Sequence, residues 1–167
     1  MVIDWKSLAE NLGCFKYGHE SGSSDFAKQA ITTLLGEENL LEAVNYYISG
    51  EPGSELARSV LWQLRPWCAM KYCYDIYKFS ENIESRISAI ELLRVIADRR
   101  VLIWIEEFLS DANEGIQFWG IGIVDQLLFS QLVEYEDVQN ILEKARDHKN
   151  SQVVEKTHEI IESWEEK

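Results

Sequence analysis

The stretch that decides the fold begins Ile83-Glu84-Ser85-Arg86-Ile87-Ser88-Ala89-Ile90-Glu91-Leu92-Leu93 and reaches a break at Ala97-Asp98-Arg99-Arg100. It resumes as Val101-Leu102-Ile103-Trp104-Ile105-Glu106-Glu107-Phe108-Leu109, and Ser110-Asp111-Ala112-Asn113-Glu114-Gly115 then opens a further segment running to Leu128. Apolar residues recur at helical spacing inside each segment, and the breaks hold turn and capping residues. The pattern predicts helix, turn, helix, turn, helix. Stacked helix pairs make scaffolds that grip partners, and such scaffolds usually do no chemistry themselves.

Outward from this stretch the helical signal continues. Residues 1–24 carry one short helical pattern (Trp5, Leu8, Ala9, Leu12) and then Gly18-His19-Glu20-Ser21-Gly22-Ser23-Ser24, which reads as a loop. Ser23 or Ser24 is placed to cap a helix that Gly36 ends, and Leu40 to Ile48 forms the next. Ser54 is placed to cap a helix that Pro66 stops, and further helices are predicted near 67–79, 116–129, 137–147 and 151–164. Asn82, Asp98, Asn113 and Asn150 or Ser151 fall where caps are needed. No strand is expected. Gly120 and Gly122 each weaken the helix around them by about 1 kcal/mol relative to Ala, which close packing of a neighbouring helix would explain.

Superimposing segments through Arg58, Arg86, Gln117 and Val154 gives spacings of 28, 31 and 37 residues, the range of helical repeat arrays. In this register the chain resembles the HEAT-repeat family, best over Ala97–Gly120, where Asp98 and Asp111 occupy the turns. The resemblance covers about residues 53–164 and extends in degenerate form to residue 25. It implies an all-α superhelix of about four to five helix pairs in a single domain, with residues 1–24 as an N-terminal helix and loop ahead of the stack at 25–164. It also implies Arg–Asp links between adjacent repeats, for which Arg86 and Arg94 are the candidates.

The 167 residues suit one domain with a real core, and 46% hydrophobic content supplies it. The three cysteines (Cys14, Cys68, Cys73) fit a reducing compartment better than a disulfide framework. With neither a secretory pattern nor a spanning apolar run, a cytoplasmic protein that does not engage membranes is expected. The net charge is -13 and uneven: residues 1–80 carry 10 acidic and 7 basic side chains, residues 81–167 carry 19 and 9. Such a field opposes nucleic-acid phosphates and speeds encounter with a basic protein, although a solubilising role would explain it equally.

Catalysis finds little to stand on. His19-Glu20 and His158-Glu159 superficially match the His-Glu pairs of di-iron HEAT hydroxylases, but four such pairs are needed and the chain has three histidines. Helical-repeat DNA glycosylases need a basic groove, the wrong sign here. Cys68 and Cys73 lack the further ligands of a zinc site. No phosphate loop, nucleophile elbow or metalloprotease motif occurs. No enzyme activity, metal or cofactor is expected.

In HEAT-type stacks the second helix of each pair lines the ligand side. Aligning those helices through Cys73, Ile105 and Ile141 places Tyr72, Trp104 and Asn140 one residue before, and Asp75, Glu107 and Glu143 two residues after. Positions three apart share a helix face. The expected partner-binding surface is therefore an acidic ladder (Asp75, Glu107, Glu143) beside an aromatic one led by Tyr72 and Trp104. The alternative is that Trp104 packs between repeats and the carboxylates are ordinary solvated groups. Trp62, Trp67 and Trp119 are expected in packing roles. Small acidic proteins of this kind resemble bacterial immunity proteins, which cover a basic nuclease toxin; a general adaptor with hydrophobic contacts, or a metalloenzyme on the same scaffold, are the alternatives.

Overall fold

The computed structural model describes residues 2–165. Helix α1 (Trp5–Leu12) starts at Asp4, whose carboxylate accepts from the Ser7 N–H at 3.1 Å, and stops at Gly13 in the left-handed region. A two-stranded ribbon follows, β1 (Phe15–Lys16) against β2 (His19–Glu20), where the sequence reading placed a loop. Tyr17 and Gly18 both have positive φ (53° and 79°), the geometry of a two-residue hairpin turn. Strands of two residues are too short to show alternation, so only the turn could have signalled them.

The remaining helices are α2 (Ser24–Ser49), α3 (Ser54–Leu64), α4 (Trp67–Phe79), α5 (Ile83–Ile96), α6 (Ile105–Leu109), α7 (Glu114–Phe129), α8 (Tyr135–Ala145) and α9 (Ser151–Glu165). The two helical runs of α2 meet at Gly36, whose φ of 76° and ψ of 157° are open to glycine alone. Ser23, Asn82, Asp98 and Asn113 cap as expected, each accepting a backbone N–H. Ser54 does not: Gly53 holds the cap position, and Ser54 is already helical. At α8 the cap is Glu134, with Asp137 closing a reciprocal capping box, so the helix starts two residues earlier than the sequence pattern suggests. Residues 99–104 form a 3-10 turn rather than the start of an α-helix.

These helices form an α–α superhelix of four pairs (α2/α3, α4/α5, α6/α7, α8/α9) in two layers, so α4, α6 and α8, which the sequence register set second in each pair, pack as the first of each. α3, α5, α7 and α9 pack side by side in one layer, and α2, α4, α6 and α8 make the other. The four residues superimposed in the sequence (Arg58, Arg86, Gln117, Val154) fall one on each helix of the first layer. Buried apolar residues run from Leu40 to Ile161 between the layers, and none of residues 2–39 is among them. Residues 2–39 therefore lie outside the core, exposing Trp5, Ile31, Leu34 and Leu35.

Polar ties lace successive pairs. Tyr72 reaches Asn45, Arg65 the Ala97 carbonyl, Lys78 reaches Glu107, Arg86 Asp111, Arg99 Asp137 and Lys144 Glu106. Lys156 bridges to Asp125, and the longest span is His148 to Leu109, 39 residues. No helix among the described residues is long and apolar enough to cross a membrane.

Candidate functional site

The six residues expected to form the binding face lie on α4, the 99–104 turn with α6, and α8, all within one layer. Their environments differ from the expected pair of ladders. Trp104 is only 8% exposed. Its ring stacks on Tyr74 at 4.4 Å and on Trp67 at 5.4 Å, and Arg100 lies over Trp67 at 4.7 Å. The 3-10 turn is the cause. With three residues per turn, positions 101 and 104 eclipse, so Trp104 follows Val101 inward while Ile103 turns out to 77% exposure. The aromatic side chain at this position is a packing element between α4 and α6.

The acidic ladder is also largely neutralised. Asp75 takes Lys71 one turn earlier on α4. Glu107 takes Lys78 and accepts the Tyr74 hydroxyl at 2.7 Å. The Lys78 ammonium foremost, and the Tyr74 hydroxyl after it, hold the Glu107 carboxyl below its ordinary range against the opposing effect of burial. A depressed carboxylate stabilises the fold above the unfolded-state value near about 4.3, and that contribution disappears as pH falls through the folded value. Glu107→Gln should therefore melt below the wild type at pH 7, with the gap closing in melts run progressively below pH about 4. A gap that widened on acidification would refute the pairing. Tyr72 donates to Asn45 at 3.0 Å, Asn140 is exposed, and Glu143 is exposed and accepts from Gln139 at 2.9 Å.

The surplus negative charge lies elsewhere. On α4 and the 99–109 segment, Lys71, Lys78, Arg99 and Arg100 match or outnumber Asp75, Glu106 and Glu107. On the last pair, Glu136, Asp137, Glu143, Glu155, Glu159 and Glu162 outnumber Lys144 and Lys156, although Arg99 pairs with Asp137 and Lys156 with Glu159. Glu155, His158, Glu159 and Glu162 line one shallow groove on α9, with Lys149 and His148 at its edge. The i, i+4, i+7 spacing of Glu155, Glu159 and Glu162 signals this face, but in the sequence it reads as a charged end cap.

A second constellation joins the turns between pairs. Arg86 donates through Nε to the Tyr77 carbonyl at 2.8 Å and through a terminal nitrogen to Asp111 at 2.7 Å. Gln117 donates to the Asp111 carbonyl at 2.6 Å, and Asn150, 7% exposed, donates to Gln117 at 3.0 Å and to the Glu114 carbonyl at 3.1 Å. The Asn150 N–H donates to Nδ1 of His148 at 3.0 Å. That nitrogen must therefore be the unprotonated one, and Nε2–H donates to the Leu109 carbonyl at 2.9 Å. A cleft of about 540 Å³ beside this chain is lined by Glu106, Asp111, Lys144, Asp147 and His148. Both ring nitrogens of His148 are engaged by backbone, so the imidazole is tied into structure rather than set to relay protons.

The remaining sequence candidates separate in the same way. Cys73 is fully buried on α4, which drives its thiol out of the titratable range, and Cys68 is half-buried. His19 stands exposed on β2 and His158 exposed on α9. Among the described residues, no group of three or more His, Cys, Asp or Glu is placed to hold a metal ion. Trp62 is 44% exposed rather than packed. Arg94 is the sharpest departure: Arg86 finds Asp111 as expected, but among the described residues no carboxylate pairs with Arg94. Comparison with protein-family models, with curated proteins and with solved structures finds no match to this chain.

Proposed function

We propose that this chain is a non-catalytic, protein-binding scaffold of HEAT-like pairs: an acidic inhibitor of the immunity type, which covers a basic partner such as a nuclease toxin. The observation that carries this reading is the surplus of carboxylates on the last helix pair, in a chain of net charge -13. Such a surface attracts a basic protein over a Debye length and orients it before contact. Contact then extends from Glu143 and Asn140 along the layer towards Tyr72. The carboxylates take the places that phosphates would occupy on a nuclease, and the tied, fully packed α4–α6 middle keeps the surface rigid.

The test is association kinetics on a panel of basic nuclease domains, with nuclease activity followed in parallel. Reversing Glu143, Glu155 and Glu162 to Lys should slow association about tenfold or more at low salt, with the loss shrinking as salt rises. A specific observation favours a second reading, that of an adaptor: Phe79, Ile103 and Phe129 are 79%, 77% and 80% exposed. Binding that ignores both salt and charge reversal would replace the first reading with this one.

A further inference from the structure

Arg94 lies on α5 with its aliphatic stem across α7 and its guanidinium over the Trp119 ring at 5.1 Å. Its Nε is the single buried side-chain nitrogen or oxygen among the described residues without a hydrogen-bond partner. Buried polar atoms are nearly always paired, so an orphaned one on a charged group needs a reason. The other partly buried arginines have partners: Arg58 pairs with Glu55 at 2.6 Å, Arg65 donates to the Ala97 carbonyl, and Arg86 pairs with Asp111.

The chain also makes room for this unpaired cation. Gly122 sits opposite it in the interior of α7, and a Cβ there would come within 3.0 Å of the Arg94 Cδ. Glycine in mid-helix costs about 1 kcal/mol relative to alanine. Arg94 lines a groove of about 360 Å³ together with Arg58, Ser59, Trp62, Val95 and Gln126, from three adjacent helices of one layer. Gln126 uses its amide N–H on Ser130, which leaves its carbonyl oxygen for a donor, and Trp62 is half-exposed at the groove. Two guanidinium groups and an indole line it on a protein that is otherwise strongly acidic; Arg58 pairs with Glu55, and the Ser59 hydroxyl donates to the Glu55 carbonyl at 2.8 Å, which leaves Arg94 as the cation without a carboxylate partner among the described residues. Guanidinium forks match carboxylate and phosphate oxygens, and a guanidinium held flat on an aromatic ring presents its donors in a fixed plane.

We propose that this groove is a binding site for a compact oxyanion, a carboxylate or a phosphate, held by Arg94 with Arg58 in support. It lies on the layer of α3, α5 and α7, opposite the layer of α4, α6 and α8, and it does not depend on the partner reading above. The ligand is either a free small anion or the carboxylate of an acidic side chain.

The experiment titrates the full chain with inorganic phosphate, and separately with N-acetylglutamate amide, following tryptophan fluorescence and the Arg94 Nε–H resonance by NMR. Saturable binding of one or both is expected, with the Nε–H resonance shifting in step. Tighter binding of phosphate assigns a free phosphate-type ligand, and tighter binding of the glutamate derivative assigns an acidic side chain. Arg94→Met keeps the stem and removes the charge; it should weaken binding about tenfold or more, and Arg58→Met should weaken it as well. Linear, non-saturating responses from wild type to both probes would overturn the site, whatever the variants do. Equal binding by wild type and a folded Arg94→Met protein would overturn it too.

Discussion

Gly120→Ala should destabilise the protein although it adds a single methyl group and improves helix propensity. The new Cβ would sit 2.8 Å from the Phe108 Cβ and 3.7 Å from the Phe108 carbonyl carbon. A Cβ moves only with its backbone, and the Phe108 ring is held edge-on against Tyr77 at 4.9 Å. α6 and α7 must separate to admit the methyl group. Overpacking of this kind costs about 1–3 kcal/mol, more than the ~1 kcal/mol that alanine returns in propensity. A melting temperature lower by several degrees is expected, since about 1 kcal/mol moves a domain of this size by about 2–4 °C. Gly122→Ala is the internal control. Its Cβ would meet the flexible Cδ of Arg94, which can shift, so it should cost less. A Gly120→Ala protein as stable as wild type, or more stable than Gly122→Ala, would contradict the close approach of α6 to α7.

The second large effect is expected at Asn150. Its side chain joins α9 to α7: Oδ1 accepts from the Gln152 N–H at 3.0 Å, while Nδ2 donates to Glu114 and Gln117. Asn150→Ala removes a helix cap and takes the donor away from two part-buried acceptors, a loss of about 1–3 kcal/mol from the two causes together. Asn150→Asp separates the causes. The cap survives, but an oxygen replaces the amide nitrogen and faces the Glu114 carbonyl and the Gln117 oxygen. Gln117 cannot turn its amide round without losing the Asp111 carbonyl. The folded state then disfavours the carboxylate, so its pKa rises above the unfolded value of about 3.9. Stability of this variant is greatest below that value and is lost as pH rises through the folded one. Urea denaturation at several pH values checks the sign. An Asn150→Asp protein that gained stability between pH 4 and 7 relative to wild type would rule out the donor role of Nδ2.

Much of the architecture is legible because it is local. Asn82 and Asn113 announce helix starts within three residues of themselves, and the 28-, 31- and 37-residue register found one layer correctly. Gly120 was readable as a close approach, though not its partner Phe108. The candidate face was read less well, for identifiable reasons. Whether Trp104 points in or out depends on 3.0 against 3.6 residues per turn over residues 99–104, and apolar spacing does not distinguish the two there. Lys71 and Asp75 are an i, i+4 pair that helical spacing reveals, but Lys78 and Glu107 are 29 residues apart and meet only once the layer is assembled. Arg86 and Arg94 look alike in the sequence. Asp111 lies within reach of one, and Gly122 and Trp119 lie against the other.

The polar ties between pairs carry a further consequence. With a longest reach of 39 residues among the described residues, each of these ties joins neighbours in a row. Order is therefore transmitted through them like alignment along a line of spins. Any adjacent two pairs can nucleate the rest, the entropic toll of loop closure stays low, and a defect at one interface divides the row instead of dissolving it.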